Sequence, residues 1–152
     1  MTPVHLHLLL NHIPVLGTTF AAALLSYAFI FNKEEVRKAA LAAFVLVALM
    51  TPVVFFSGDN SVDTVKKLSN VTDAAIDAHD DAAEIAFAAM VGLGLLALAQ
   101  LILYRYSISE KLKKRAAFIT VIFAIIALVW TAHTANLGGK IRHAEELGAI
   151  LK

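Results

Sequence analysis

The sequence has no cysteine. Disulfides, thiolate metal sites, iron–sulfur clusters and thioether-linked c-type haem are thereby excluded, leaving imidazole and carboxylate as the strong ligands. Charge is also scarce. Only 16% of the 152 residues are charged, against about a quarter in an ordinary soluble domain, so the chain cannot present a polar surface all round. No basic residue precedes Lys33. A charged leader is therefore missing, and so is a small-residue cleavage site, so a cleaved signal peptide is not expected.

Hydrophobic residues fill the space, at 59% of the chain and a mean hydropathy of +0.74. Four stretches are long enough to cross a bilayer core, which takes roughly 20 apolar residues in helical form. They cover residues 4–31, 39–57, 82–104 and 116–137. Gln100 and His133 are the strongly polar side chains within the last three. Runs such as "AAFITVIFAIIALVW" lack the alternation of barrel strands, and a helix satisfies its own backbone in lipid. The expectation is an all-α, integral membrane four-helix bundle forming one domain, with an outer loop over residues 58–81. "AAALLS", "ALAAF" and "AAMVGLGLLALA" supply small residues for close helix contact. No convincing internal repeat is apparent.

Basic residues set the orientation. The first connection, "NKEEVRK", holds Lys33, Arg37 and Lys38, and the third, "RYSISEKLKKR", holds Arg105, Lys111, Lys113, Lys114 and Arg115. The positive-inside rule puts both in the cytoplasm. Both termini and the second connection then lie outside, periplasmic in a bacterial inner membrane, along with Asp59, Asp63, Asp73, Asp77, Asp80, Asp81, Glu84, Glu145 and Glu146.

Local signals refine the spans. Thr2 suits an N-cap, with Pro3 in the first turn. Pro14 lies inside the first span, where it frees the Leu10 carbonyl and kinks the helix. "SGDNS" marks a turn, "SVDTVKKL" a short amphipathic piece at the interface. Thr72 caps a third helix whose first two turns project from the membrane, with Asp73 and Asp77 suited to its dipole.

The six histidines are unevenly distributed. His5, His7 and His12 fall at the outer end of the first span, His79 at the outer start of the third, His133 near the outer end of the fourth and His143 in the tail. None lies in the cytoplasmic half. Helix ends are polar in any membrane protein, so one such histidine carries little; convergence from several spans carries the argument. At 100° per residue Asp73, Asp77, Asp80, Asp81 and Glu84 form one stripe. His79 lies off it, with Ala75, Ala83, Ala86 and Met90, and is expected to point toward other helices. His133 shares a face with Ile122, Ile126, Val129 and Asn136 and is also expected to face the bundle. The "HLH" at His5 and His7 is a weak signal, since that spacing points the two rings apart.

Imidazoles on facing helices of a four-helix bundle suit b-type haem, one or two groups. His12 and His133 form the first axial pair, with His79 and His143 a second pair or a replacement. Lys140 and Arg142 are placed for propionates or lipid headgroups, and Asn11 and Asn136 for orienting a ring nitrogen. Two alternatives stay open. His79, Asp59, Asp80, Glu84 and Glu146 with His12 or His143 would suit zinc, copper or non-haem iron. Otherwise the same residues make structural contacts within a homo-oligomer or a larger membrane complex. A transporter is disfavoured, because the spans carry no acid–base chain and no broken helix pair.

"HLHLLLNHIPVLG", "SGDNSVDTVKKLSNVTDAAIDAHDDAAEIA" and "TANLGGKIRHAEE" together resemble a group of small four-span bacterial membrane proteins. These share a His-x-Pro start, a Gly–acid pair in the outer loop, a His–acid pair opening the third helix and a Gly-Gly-x-x-x-His tail. The resemblance carries over His12, Asp59, His79, Asp80, Gly138, Gly139 and His143. Asp59 and Asp80 stand where the pattern has Glu, with shorter reach for a metal. The layout also resembles four-helix dihaem cytochromes b, departing from them by having no histidine on the cytoplasmic side. The implied function is electron transfer between the quinone pool and a basic periplasmic partner such as a soluble cytochrome c, steered by the acidic outer face. No nucleic acid partner is expected.

Overall fold

The computed structural model describes residues 2–68, 71–106 and 108–144. Six helices follow in order: α1 Pro3–Leu10, α2 Ile13–Ile30, α3 Glu34–Asp59, α4 Val62–Val65, α5 Asp73–Leu103 and α6 Glu110–Arg142. There is no strand among the described residues. The first span, α1 with α2, and helices α3, α5 and α6 are each long and apolar enough to cross a membrane. They form a four-helix bundle in which α3 and α6 each pack against both α2 and α5, while α1 packs on α3. The N-terminus, the loop carrying α4 and the end of α6 share one end of the bundle. The α2–α3 and α5–α6 connections share the other, which carries eight of the 13 Lys and Arg.

Caps and breaks follow the side chains. The Thr2 hydroxyl accepts from the His5 amide, with Pro3 in the first turn, and the Thr72 hydroxyl accepts from Ala75. The first span bends where Pro14 was expected to kink it: Asn11 and His12, both still in right-handed helical conformation, lie between α1 and α2 just ahead of Pro14. Asn32 turns the chain from α2 into α3 with φ 53°, a left-handed conformation that asparagine tolerates.

The interior is built from small residues. On α6 the buried positions Ala117, Thr120, Ala124, Ala127 and Thr131 repeat at intervals of three and four, the spacing of one helix face. Isoleucines and phenylalanines of the opposite face, such as Ile122, Phe123, Ile126 and Val129, are exposed. This inverts the order of a water-soluble helix. Lipid offers large aliphatic side chains as good a home as the interior does, so close backbone approach decides which face turns inward. Gly17 against Val47, and Gly94 against Ala48, bring α2 and α5 close to α3. Gln100 is buried within this apolar region and donates to the Thr120 hydroxyl and the Leu96 carbonyl, which satisfies a group otherwise costly at that depth.

The basic end is closed by a polar cluster. Arg37, 1% exposed, donates to the Tyr104 hydroxyl at 3.2 Å and lies 3.7 Å from Glu110. Lys113 bridges Glu34 at 3.1 Å and Glu110 at 2.8 Å, while its ammonium sits 4.9 Å from the centre of the Tyr104 ring. Side chains from α3, α5–α6 and α6 are thus tied together around one phenol.

Candidate functional site

At the other end the helices part around a cavity of about 700 Å³, within the range of small-molecule and cofactor pockets. Its walls come from all four spans, and Val62, Val65 and Leu68 contribute the α4 side. Most of the lining is apolar. The polar side chains that reach it include four histidines of the first span and α5, His5, His7, His12 and His79, and His143 beyond α6.

Two imidazoles form the centre. His7 on α1 and His79 on α5 have ring centres 6.4 Å apart and ring planes at 90°. His7 Nδ1 is 2.9 Å from the Val54 carbonyl oxygen on α3, and His79 Nδ1 is 3.1 Å from the Thr134 carbonyl oxygen on α6. A carbonyl only accepts, so Nδ1 carries the proton in each ring, and Nε2 of the neutral imidazole keeps its lone pair. Each ring also rests on a glycine. A Cβ added at Gly58 would lie 2.9 Å from Cε1 of His7, and one at Gly138 would lie 3.0 Å from Cε1 of His79.

The two halves of this arrangement repeat. In each hairpin the first helix supplies the imidazole, and the second supplies a carbonyl with a glycine four residues later. The segments "TPVVFFSG" and "TAHTANLG" are of equal length and agree at their first and last residues: Thr51 corresponds to Thr131 and Gly58 to Gly138, with Val54 and Thr134 at the same position between them. Both threonines are buried and spend their hydroxyls on the carbonyls of Val47 and Ala127, four residues earlier. The internal repeat that whole-span comparison misses is present in the structure, confined to the residues that hold the rings.

Of the residues singled out from the sequence, the cavity gathers His12, His79, His143, Asn11, Arg142, Asp59, Asp80, Gly138 and Gly139. His79 is half-buried and faces inward as its small-residue neighbours predict. His12 reaches the cavity but is exposed, in the break between α1 and α2. The Oδ1 of Asn11 is buried without a hydrogen-bond partner. His133, Asn136 and Lys140 are exposed and outside the cavity, and this corrects the expected His12–His133 pair. His133 does share a face with Ile122, Ile126 and Val129, but that face is the outward one, and its ring lies 6.0 Å from Trp130. The inward face of α6 is the small-residue line Ala127, Thr131, Thr134 and Gly138.

His7 is the residue that sequence reasoning set aside. His5 and His7 do point apart: His5 contacts the Thr2 hydroxyl at 2.9 Å in exposed surroundings, and His7 takes the interior side. A usable signal existed. Stepping back by threes and fours from the buried positions Ala28, Leu25, Ala21, Thr18 and Pro14 leads through Asn11 to His7 and Val4, not to His12. Glu146, proposed for a mixed ion site, lies outside the described residues. Among the described residues no three His, Asp or Glu side chains come together closely enough to hold an ion.

The donor set has a definite chemistry. Two neutral imidazoles gripping one ion in line, each through a metal–nitrogen bond of about 2 Å plus a ring radius of about 1.1 Å, place their ring centres roughly 6 Å apart. The observed separation matches. Each ring has the tautomer fixed by its carbonyl, as in most ligating histidines, and an apolar space of cofactor size surrounds the pair. His7 and His79 are the residues that would hold the iron of a planar macrocycle, with the apolar lining around it.

No family model, no curated protein and no solved structure matches this chain.

Proposed function

We propose that the chain is a membrane-bound b-type cytochrome that holds one haem in the cavity at its histidine-rich end, with His7 and His79 as axial ligands. The observation that carries this reading is the imidazole pair itself: two rings from different spans, 6.4 Å apart, each with Nδ1 committed to a carbonyl and Nε2 available. Haem in such a site supplies reversible one-electron transfer. The protein's part is to fix both rings, surround the macrocycle with apolar side chains and offer Arg142 at the margin for a propionate. A mixed histidine–carboxylate ion site has less support, because the described residues assemble no third donor.

Orientation follows from charge. With the eight basic residues of the α2–α3 and α5–α6 ends facing the cytoplasm, the cavity lies near the periplasmic face of a bacterial inner membrane and both termini are periplasmic. All histidines are at that end, so the protein exchanges electrons on one side and does not carry them through the bilayer. The quinone pool is the proposed donor or acceptor within the membrane. On the aqueous side, Asp77, Asp80, Asp81 and Glu84 are exposed, with no cation among the described residues within ion-pair distance, and Asp73 has Lys66 at 4.0 Å. Such a surface favours a basic partner, a soluble cytochrome c by chemistry.

The test is the reduced-minus-oxidised absorption spectrum of protein extracted in mild detergent from haem-replete cells. A sharp α band is expected, lost in His7→Ala and in His79→Ala and kept in His133→Ala. A colourless wild-type protein, or bands that survive both of the first two substitutions, would sink the reading.

A further inference from the structure

We infer that Gly58 and Gly138 are positioning residues that hold the two imidazoles crossed at a right angle. This rests on the haem reading and goes past it, because it fixes how the axial rings are turned. One hydrogen bond from Nδ1 leaves an imidazole free to swing about that bond. The glycine removes the freedom by giving the ring a floor, one helical turn beyond the carbonyl it is tied to.

The contacts are tight for any larger residue. An added Cβ would meet Cε1 and Nδ1 of His7 at 2.9 and 3.0 Å, and Cε1 and Nδ1 of His79 at 3.0 and 3.4 Å. The atoms met belong to rigid rings already tethered at 2.9 and 3.1 Å, so an alanine at Gly58 displaces the His7 ring, and one at Gly138 makes the His79 ring give by a few tenths of an ångström. The floors lie on α3 and α6, helices that both pack against α5. Each ring thus leans on the second helix of its own hairpin, and the ring planes meet at 90°. Crossed axial rings act on different orbitals of a low-spin ferric ion and leave them close in energy. Parallel rings separate them.

Electron paramagnetic resonance of the ferric protein reads this directly. The wild type is expected to give a strongly axial low-spin signal dominated by one large g value. Gly58→Ala and Gly138→Ala are expected to move it toward the rhombic, three-line pattern. Gly92→Ala, where an added Cβ meets nothing within 4 Å, is expected to leave it unchanged. A rhombic wild-type signal, or wild-type signals from both site variants, overturns the inference while leaving the haem itself in place. A protein without haem fails earlier, at the α band, and overturns the reading beneath. A second measurement needs no cofactor. In the haem-free protein, ¹⁵N-histidine NMR is expected to show the Nδ1-protonated tautomer for His7 and His79, and each alanine variant is expected to shift the ring resonances of the matching histidine and not those of the other. Ring resonances that stay unchanged in both variants overturn the inference even if a variant takes up no haem.

Discussion

The two ends of the bundle solve opposite problems with the same four spans. At the basic end every acid, Glu34, Glu35 and Glu110, is paired with Lys38, Lys113 or Arg37, and the helices close around Tyr104. At the histidine end most acids have no ion-pair partner among the described residues, the small-residue seam ends in glycines, and the helices stand apart around a cavity. A partly buried ionic cluster is not stabilising by default, since desolvation offsets much of the attraction. Its value here is that it fixes how α3, α5 and α6 are placed and leaves the far end free to carry a space.

That contrast can be broken from either side. The largest expected effect is at the open end: His7→Ala or His79→Ala abolishes cofactor uptake, yet costs the haem-free protein only about 1 kcal/mol, the worth of one hydrogen bond. Spectra and denaturation of the same samples check both halves of the statement. Arg37→Ala should do the reverse. It removes a fully buried side chain and leaves the Tyr104 hydroxyl without its donor, a loss on the order of 3 kcal/mol, while the wild-type spectrum persists in whatever remains folded. Tyr104→Phe, which deletes one charge-assisted hydrogen bond, should cost about 1.5 kcal/mol. Lys113→Met is expected to lower the melting temperature slightly, with the difference fading as salt is raised, because its ion pairs are open to solvent. His133→Ala should change neither spectrum nor stability. A loss of the α band in Arg37→Ala protein that still melts cooperatively would show that the two ends are not independent.

Most of the architecture was legible in the sequence. Spans, caps at Thr2 and Thr72, the short helix in the second connection and the start of α5 at Asp73 all follow from hydropathy and capping chemistry, which are local. The charged ends of α3 and α6 were placed outside the spans because hydropathy measures lipid contact; as helix they simply continue, from Glu34 and to Arg142. The site was half legible. His79 was placed inward because its neighbours are small, the right rule in lipid. On the fourth span the same rule puts His133, which shares its face with large aliphatic residues, on the outside, against the expectation that it faces the bundle. His7 was hidden by proximity to His5 and by the break at Asn11 and His12, which obscures the register of the first span. The paired Thr and Gly positions, seven residues apart in each helix, are too sparse to register as a repeat until the rings they hold are seen.

The break at Asn11 and His12 bears on how the cavity is reached. It sets His7 on a helix of only eight residues, Pro3–Leu10, packed on α3, whereas His79 belongs to a helix of 31 residues. Short segments with few buried contacts open at much lower free energy than the body they belong to. Opening of the terminal segment would therefore uncover the cavity from the side while the long helices stay assembled, and faster hydrogen exchange at the His7 amide than at the His79 amide would show it.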